Sequence, residues 1–314
     1  AINIYNEVIQ DHPNFYRSYC DKAYLLLAQG NFIEGWEYYQ YRQLFSEKCL
    51  VDDRAIKNFD NISSNKIIDI LPEQGIGDYI FHARLLQKMQ KIQKSNCINF
   101  YTDSRLIKIL KDNFEKINFI DLKEYKKNPK NIELNLASLA RFFVKTKKDI
   151  FFDKLHVKKL EIKTNVIGIS WFSGNSDWGV DKSIPLELFS NLDLSSNVRM
   201  YSLQYGDVDA DVSNFNRLYP GKKIINDPSV DKFKDIYQLC QIIQECEYVI
   251  TVSNITAHLA GALGKKCYLL LPRHLGKMWY WLSEKGKSIW YPSIIVIPQE
   301  VNETWEDSIC KLNK

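Results

Sequence analysis

The sequence lacks long apolar runs: no stretch approaches the ~18–20 residues that a membrane-spanning helix needs, and no secretory signal pattern is visible. Its seven cysteines are odd in number and form no Cys-x-x-Cys pair, which favours reduced thiols over a disulfide framework. The net charge of +4 is too small to indicate nucleic-acid binding. We therefore expect a cytoplasmic protein that has no transmembrane segment and does not bind nucleic acid.

The chain is long enough for two domains, since 45% of its 314 residues are hydrophobic and can build substantial cores. From residue 65 onward, short apolar strands alternate with amphipathic helices, as in Lys66–Leu71 followed by Asp78–Lys91. This alternation is typical of α/β folds. We predict one such domain over residues 65–160 and a second over residues 165–314.

Residues 1–47 differ from the rest because they carry a helical repeat. The pattern of the first segment recurs 34 positions later, at Gly35, Tyr39 and Arg42. Small or aromatic residues occupy the packing positions between the two segments. This period resembles one and a half tetratricopeptide repeats, whereas such arrays need about three units for stability. We expect either that further repeats lie upstream or that these helices dock on the next domain. The alternative is an isolated helical hairpin. Residues 48–64 are polar and indicate a connector.

One stretch of the second domain has the clearest pattern. Tyr248–Val252 and Cys267–Leu271 are apolar runs typical of buried strands, and Thr256–Leu263 is a helix of small apolar residues. Ser253 and Asn254 precede that helix and are good N-caps. A helix start at the carboxyl end of a parallel strand can bind phosphate, and His258 belongs to the same segment. Capping alone is the alternative interpretation of Ser253 and Asn254.

A glycine-containing turn opens the first α/β domain. Glu73–Asp78 follows a strand and begins a helix, and Gly75 and Gly77 would allow a ligand to approach the backbone. No third glycine follows, so the segment is not a dinucleotide-binding fingerprint. Asp78 either acts chemically or caps its helix. His82 lies one turn later on the same face and is either a second base or a packed histidine.

Two polar segments remain in the second domain. Ser173, Gly174 and Asn175 form a small-residue turn that could hold an anion, and Lys182 follows as either a ligand or an exposed lysine. Asp207, Asp209 and Asp211 alternate, but the glycine and glutamate of a calcium loop are missing. We interpret the aspartates as a solvated turn and expect no metal site.

The motifs Glu73–Asp78 and Ala257–Lys265 together resemble bacterial heptosyltransferase-like glycosyltransferases. That resemblance implies the GT-B fold, in which two Rossmann-like domains face each other across a cleft, here preceded by the tetratricopeptide-repeat segment. It implies Asp78 as general base, with Gln74, Gly75 and Gly77 in the acceptor-side loop. It also implies a donor site formed by Ser173, Gly174, Asn175, Lys182, Gln204, Ser253, Asn254, Thr256 and His258.

Two other features bear on this resemblance. Many relatives carry Asp-Thr where this chain has Ser253 and Asn254. The acidic side chain would be expected near the donor sugar, so this difference bears on which sugar the chain would bind. The C-terminal aromatic residues, including Trp279 and Trp281, resemble repeat-linked members of the family and are interpreted as packing of the second domain and cleft wall.

The resemblance implies an inverting, metal-independent glycosyltransferase that needs no cofactor. It would use a nucleotide-sugar as donor and modify a hydroxyl group, on a protein acceptor recruited by the repeats. A non-catalytic binding module and a nucleotide-sugar epimerase are the alternatives.

Overall fold

The computed structural model of the chain describes residues 1–92, 96–160, 165–174, 179–195, 197–273 and 276–313, which divide between two compact units. Unit 1 comprises Ala1–Asp153 and Met278–Leu282, and unit 2 comprises Lys154–Lys277 and Ser283–Lys314. The predicted boundary at residues 160–165 thus moves to Asp153–Lys154. The reason is local, since the amide of Leu155 donates to the carbonyl of Ala262 in unit 2 at 2.8 Å.

Unit 1 begins with helices α1 (Ile2–Asp11), α2 (Tyr16–Ala28) and α3 (Phe32–Tyr39). Its described residues then form a parallel sheet in the order β3-β2-β1-β4, with β1 (Ile67–Leu71), β2 (Cys97–Thr102), β3 (Asn118–Asp121) and β4 (Ile132–Asn135). The helices of this part are α4 (Ile76–Ala83), α5 (Leu86–Ile92), α6 (Ser104–Lys111) and α7 (Leu139–Phe143). Short 3₁₀ turns lie at Gln40–Leu44, Phe59–Asn61, Leu122–Glu124, Leu136–Ser138 and Lys147–Asp149.

Helix α3 packs into the core of unit 1, whereas α1 has no buried residue. The indole N–H of Trp36 on α3 donates to the carbonyl of Val144 at 2.9 Å. The Trp36 ring also meets the edge of Trp279, with ring centroids 5.2 Å apart. Trp279 itself contacts Phe81 of α4. The segment 278–282 therefore packs in unit 1, which corrects the prediction that the aromatic residues Trp279 and Trp281 pack in the second domain.

Two predictions for unit 1 need correction in detail. The predicted helix Asp78–Lys91 is divided into α4 and α5. The predicted connector is not merely a polar linker, because the Asp53 carboxylate is buried. It accepts hydrogen bonds from the Gln43 amide at 2.8 Å and the Asn135 backbone N–H at 2.8 Å. The segment 48–64 thus helps to hold the 3₁₀ turn Gln40–Leu44 and β4 in one unit.

The described residues of unit 2 form a sheet in the order β10-β11-β12-β9-β8-β5-β6-β7. Its strands are β5 (Val166–Ser170), β6 (Arg199–Ser202), β7 (Ile224–Ile225), β8 (Val249–Val252), β9 (Cys267–Leu271), β10 (Ser283–Glu284), β11 (Lys287–Ser288) and β12 (Ile294–Pro298). The pairs from β12 to β7 are parallel, and β10, β11 and β12 pair in antiparallel fashion.

The helices of unit 2 cover this sheet. They are α8 (Gly179–Lys182), α9 (Asp209–Leu218), α10 (Ile236–Glu245), α11 (Ile255–Ala262) and α12 (Trp305–Cys310), with 3₁₀ turns at Leu186–Asn191 and Lys311–Asn313. A further 3₁₀ turn, Trp279–Trp281, belongs to unit 1. Every residue of β5 and β8 is buried, as expected for central parallel strands covered on both faces. This burial explains the continuous apolar runs in their sequences.

The aspartate cluster was predicted as a solvated turn, but the chain from Asp209 onward is the helix α9. Asp209 and Asp211 lie in its first turn, where their negative charge is favourable at the positive end of the helix. In the part of the chain that the structure describes, no group of three His, Cys, Asp or Glu side chains is placed to hold a metal ion. None of the described helices is long and apolar enough to cross a membrane.

Candidate functional site

The carboxyl edge of the unit 2 sheet is organised by Asn254, which caps α11. Its Oδ1 accepts from the backbone N–H of Thr256 at 3.0 Å, and its Nδ2 donates to Ser170 Oγ at 2.8 Å and to the carbonyl of Phe172 at 3.0 Å. The Thr251 hydroxyl adds a hydrogen bond to Asn254 Oδ1 at 3.1 Å. One buried amide therefore fixes the ends of β5 and β8 and the start of α11.

Gln204 completes this cluster from the segment after β6. Its Oε1 accepts from the backbone N–H groups of Trp171 at 2.8 Å and Phe172 at 3.0 Å, and from Ser170 Oγ at 2.9 Å. The structure thus brings together two predicted donor-site residues, Gln204 and Asn254, through Ser170. Sequence reasoning did not select Ser170, although a serine at the end of an otherwise apolar strand was an available signal.

The loop after β5 is held by hydrogen bonds to neighbouring side chains. The N–H of Gly174 donates to the Tyr205 hydroxyl at 2.7 Å, and that of Ser173 donates to Ser183 Oγ at 3.2 Å. Lys182 is buried rather than exposed, and its stem lies so close to Gly276 that a Cβ there would come within 2.7 Å of Lys182 Cγ. The predicted residue Asn175 lies outside the described residues.

The three remaining donor-site predictions are buried around α11. Ser253 lies between β8 and the helix, and Thr256 is fully buried, with an Oγ1 that has no hydrogen-bond partner among the described residues. His258 is directed to Tyr291, whose hydroxyl lies 3.1 Å from Nδ1. The helix start therefore presents Asn254 and Thr256 together, whereas His258 belongs to the packed interior of unit 2.

In unit 1 the turn before α4 is closed by a reciprocal pair of hydrogen bonds. The N–H of Gly75 donates to Asp78 Oδ2 at 3.1 Å, and the N–H of Asp78 donates to the carbonyl of Gly75 at 2.9 Å. Asp78 therefore caps its helix, as the alternative interpretation predicted, and this contact fixes the carboxylate in one orientation. Gly77 lies in the first turn of α4, and Gln74 precedes Gly75 with a φ of 69°.

The sequence left His82 as either a second base or a packed histidine, and in the structure it is packed. Its side chain is buried, and Nδ1–H donates to the carbonyl of Asp78 at 3.0 Å. Burial lowers the pKa of His82 to about 4, despite the nearby carboxylate of Glu73. The imidazole is therefore neutral near pH 7, and its Nε2 has no hydrogen-bond partner within the described chain.

The first residue of the turn, Glu73, is buried and ion-paired with Arg42, which follows α3. Arg42 Nε and Nη2 donate to the two carboxylate oxygens at 2.6 Å each, and the N–H of Ala137 adds a bond at 3.1 Å. Burial alone would raise the pKa of Glu73, but attraction to Arg42 and hydrogen bonds from Arg42 and the Cys49 thiol lower it. Sequence reasoning missed this pair because its members lie 31 positions apart.

Comparison with solved structures identifies the architecture. The glycosyl transferase family 9 protein from Veillonella parvula superposes with a TM-score of 0.54 at 12% identity, over 80% of this chain and 92% of that one. ADP-heptose lps heptosyltransferase II from E. coli gives 0.53 at 10% identity, over 74% and 90%. Heptosyltransferase WaaC from E. coli, solved with ADP, gives 0.50 at 11% identity, over 76% and 94%. The chain has the GT-B fold.

Sequence comparison is less informative than structure for this GT-B protein. No known family model matches the chain. Protein FlbA from Caulobacter vibrioides is 22% identical over 324 residues, which cover 92% of this chain and 53% of FlbA. The chain therefore spans about half the length of that curated relative.

Proposed function

We propose that the protein is a glycosyltransferase that moves a sugar from a nucleoside-diphosphate sugar to a hydroxyl group, with inversion and without a metal ion. The observation that carries this proposal is a GT-B fold in which α11 begins at the carboxyl end of the central strand β8. In open α/β sheets, ligands bind at this edge.

We place the donor diphosphate at the start of α11. Asn254 already satisfies the N–H of Thr256, so the phosphates would meet the other N–H groups of the first helical turn. Lys182 would neutralise the negative charge that develops on the diphosphate as its bond to the sugar breaks. Heptosyltransferase WaaC was solved with ADP, which makes ADP the first nucleotide to test.

Asp78 is the proposed general base. An acceptor hydroxyl becomes a good nucleophile only as its proton is removed, and Asp78 is a partly buried carboxylate at a glycine-containing turn. The Gly75 N–H holds Oδ2 and so fixes the direction of the carboxylate. His82 is neutral and enclosed, so its role is to support this turn rather than to take the proton.

The acceptor is proposed to be a protein that the α1–α3 segment recruits in the cytoplasm. A groove of about 650 Å³ opens on this segment and is lined by tyrosines, tryptophan and charges of both signs, including Tyr19, Trp36, Tyr38, Tyr41, Glu37 and Lys57. Partly buried tyrosines beside exposed charged side chains suit contact with a polypeptide.

Thermal unfolding with ADP, UDP, GDP or CDP tests the donor site. A nucleotide at ~100 times its dissociation constant should stabilise the protein by about 2.7 kcal/mol, and Lys182→Ala should remove most of that effect. Inorganic phosphate is the control for adventitious anion binding. If none of the nucleotides shifts the transition, the donor site is misassigned.

Product analysis with and without a protein acceptor separates the alternatives. Transfer requires the acceptor, epimerisation alters the donor without it, and a binding module yields no product although the nucleotide stabilises it. Binding without turnover would be consistent with Ser253 and Asn254 occupying the positions where relatives carry Asp-Thr.

A further inference from the structure

The turn Glu73–Asp78 contains a residue in an unfavourable backbone conformation. Gln74 has a φ of 69°, in the left-handed region that side chains other than glycine avoid. Such a conformation persists only where surrounding contacts maintain it. Those contacts come from the N-terminal helical segment of the same unit.

Tyr39, the last residue of α3, holds the Gln74 side chain. Gln74 Nε2 donates to the Tyr39 hydroxyl at 2.5 Å. Burial raises the pKa of Tyr39 well above its usual value, so the phenol stays protonated. The Tyr39 ring is enclosed by Trp36, with centroids 5.8 Å apart, and by Trp279, with centroids 6.2 Å apart. Its hydroxyl is therefore a fixed point rather than a mobile surface group.

Arg42 holds the residue before Gln74 in the same way. Its guanidinium pairs with both oxygens of Glu73 and lies 4.4 Å from the centroid of the Tyr39 ring. A third bond, from Arg42 Nη1 to the carbonyl of Tyr39 at 3.0 Å, joins the two supports. Both residues that precede Gly75 are thus anchored by α3 and the turn that follows it.

We infer that Tyr39 and Arg42 are positioning residues for Asp78. They hold Glu73 and Gln74 so that the N–H of Gly75 meets Asp78 Oδ2 and directs the carboxylate. The α1–α3 segment and the turn after it then contribute to turnover as well as to acceptor recruitment. This inference rests on the proposed function for its kinetic consequence, but its structural part stands without it.

Two single substitutions separate positioning from stability. Tyr39→Phe keeps the ring and removes only the hydroxyl that Gln74 contacts. Gln74→Gly removes the same hydrogen bond but tolerates the positive φ, so turnover should fall even though the backbone strain is relieved. Tyr101→Phe is the matched control, since it removes a tyrosine hydroxyl from β2 of the same unit and leaves the ring against Tyr125.

The kinetic readout is kcat with donor affinity measured separately. We expect Tyr39→Phe and Gln74→Gly each to lower kcat ~10–100-fold, because small misplacements of a reacting group are costly, with donor affinity unchanged. The double variant should lose little more than either single variant, since both remove one contact. Tyr101→Phe should behave as wild type. Additive losses, or wild-type kcat in Tyr39→Phe, would overturn the inference.

Hydrogen–deuterium exchange tests the same contact without turnover. In Tyr39→Phe the backbone amides of residues 74–78, including that of Gly75, should exchange at least ~10-fold faster, with the rest of unit 1 unchanged. Exchange at the wild-type rate would show that Tyr39 does not hold the turn. A protein that transfers no sugar but shows this faster exchange would refute the proposed function alone.

Discussion

Acidification should weaken the fold through His82, which the unfolded chain protonates more readily than the folded protein. The pKa of His82 is about 4 when folded, against a usual value of 6.5. The contribution of the neutral imidazole to stability is therefore fully present above pH 6.5. It is lost as the pH falls toward 4, because the unfolded state binds the proton first.

The size of the effect follows from the same values. Each unit of pKa difference corresponds to ~1.36 kcal/mol, so the contribution should fall by about 2 kcal/mol between pH 7 and pH 5. Carboxylates with a lowered pKa, such as Glu73, lose their contribution only at lower pH. The interval from pH 7 to pH 5 thus separates the histidine from the acidic residues.

Urea unfolding at both pH values, followed by tryptophan fluorescence, measures this change. His82→Asn removes the titrating group and keeps an amide donor for the carbonyl of Asp78. Its free energy of unfolding should fall about 2 kcal/mol less than that of wild type between pH 7 and pH 5. His12→Asn, which replaces an exposed histidine of the same unit, is the control. Equal losses in wild type and His82→Asn would refute the neutral, enclosed state of His82.

Two further substitutions test the turn before α4. Arg42→Ala leaves the Glu73 carboxylate buried without its main partner, so urea unfolding should show a loss of about 3–5 kcal/mol. The double variant Arg42→Met/Glu73→Leu should recover most of it, and no recovery would argue against the buried charge as the cause. Asp78→Asn retains an oxygen that can accept from Gly75, so the fold should survive. In transfer assays its turnover should fall ~10²–10⁴-fold, with nucleotide affinity unchanged; normal turnover would place the base elsewhere.

Local patterns in the sequence were enough to predict the centre of unit 2. The predicted strand Cys267–Leu271 matches β9, and the predicted helix Thr256–Leu263 differs from α11 by one residue at each end. Asn254 is the N-cap that its residue type indicated. These features depend on contiguous apolar runs and on one capping residue, which are visible in any short window of sequence.

Features that depend on distant residues could not be predicted in this way. The strand β4 was missed because Ile132–Asn135 has no apolar run, and its position is set by pairing with β1. For the same reason, nothing in the turn Glu73–Asp78 indicated that Arg42 and Tyr39 would hold it. His258 was grouped with the helix start by sequence proximity, but the turn of the helix directs it to Tyr291.

The packing of Met278–Leu282 in unit 1 has a consequence for the order of events during synthesis. Domains generally fold as units from the N-terminus while the chain emerges from the ribosome. Here the aromatic core around Trp36 stays incomplete until Trp279 has been made, after most of unit 2. Unit 1 therefore cannot reach its final packing first, and a nascent chain halted before residue 278 should hold unit 1 in an unfinished, protease-sensitive form.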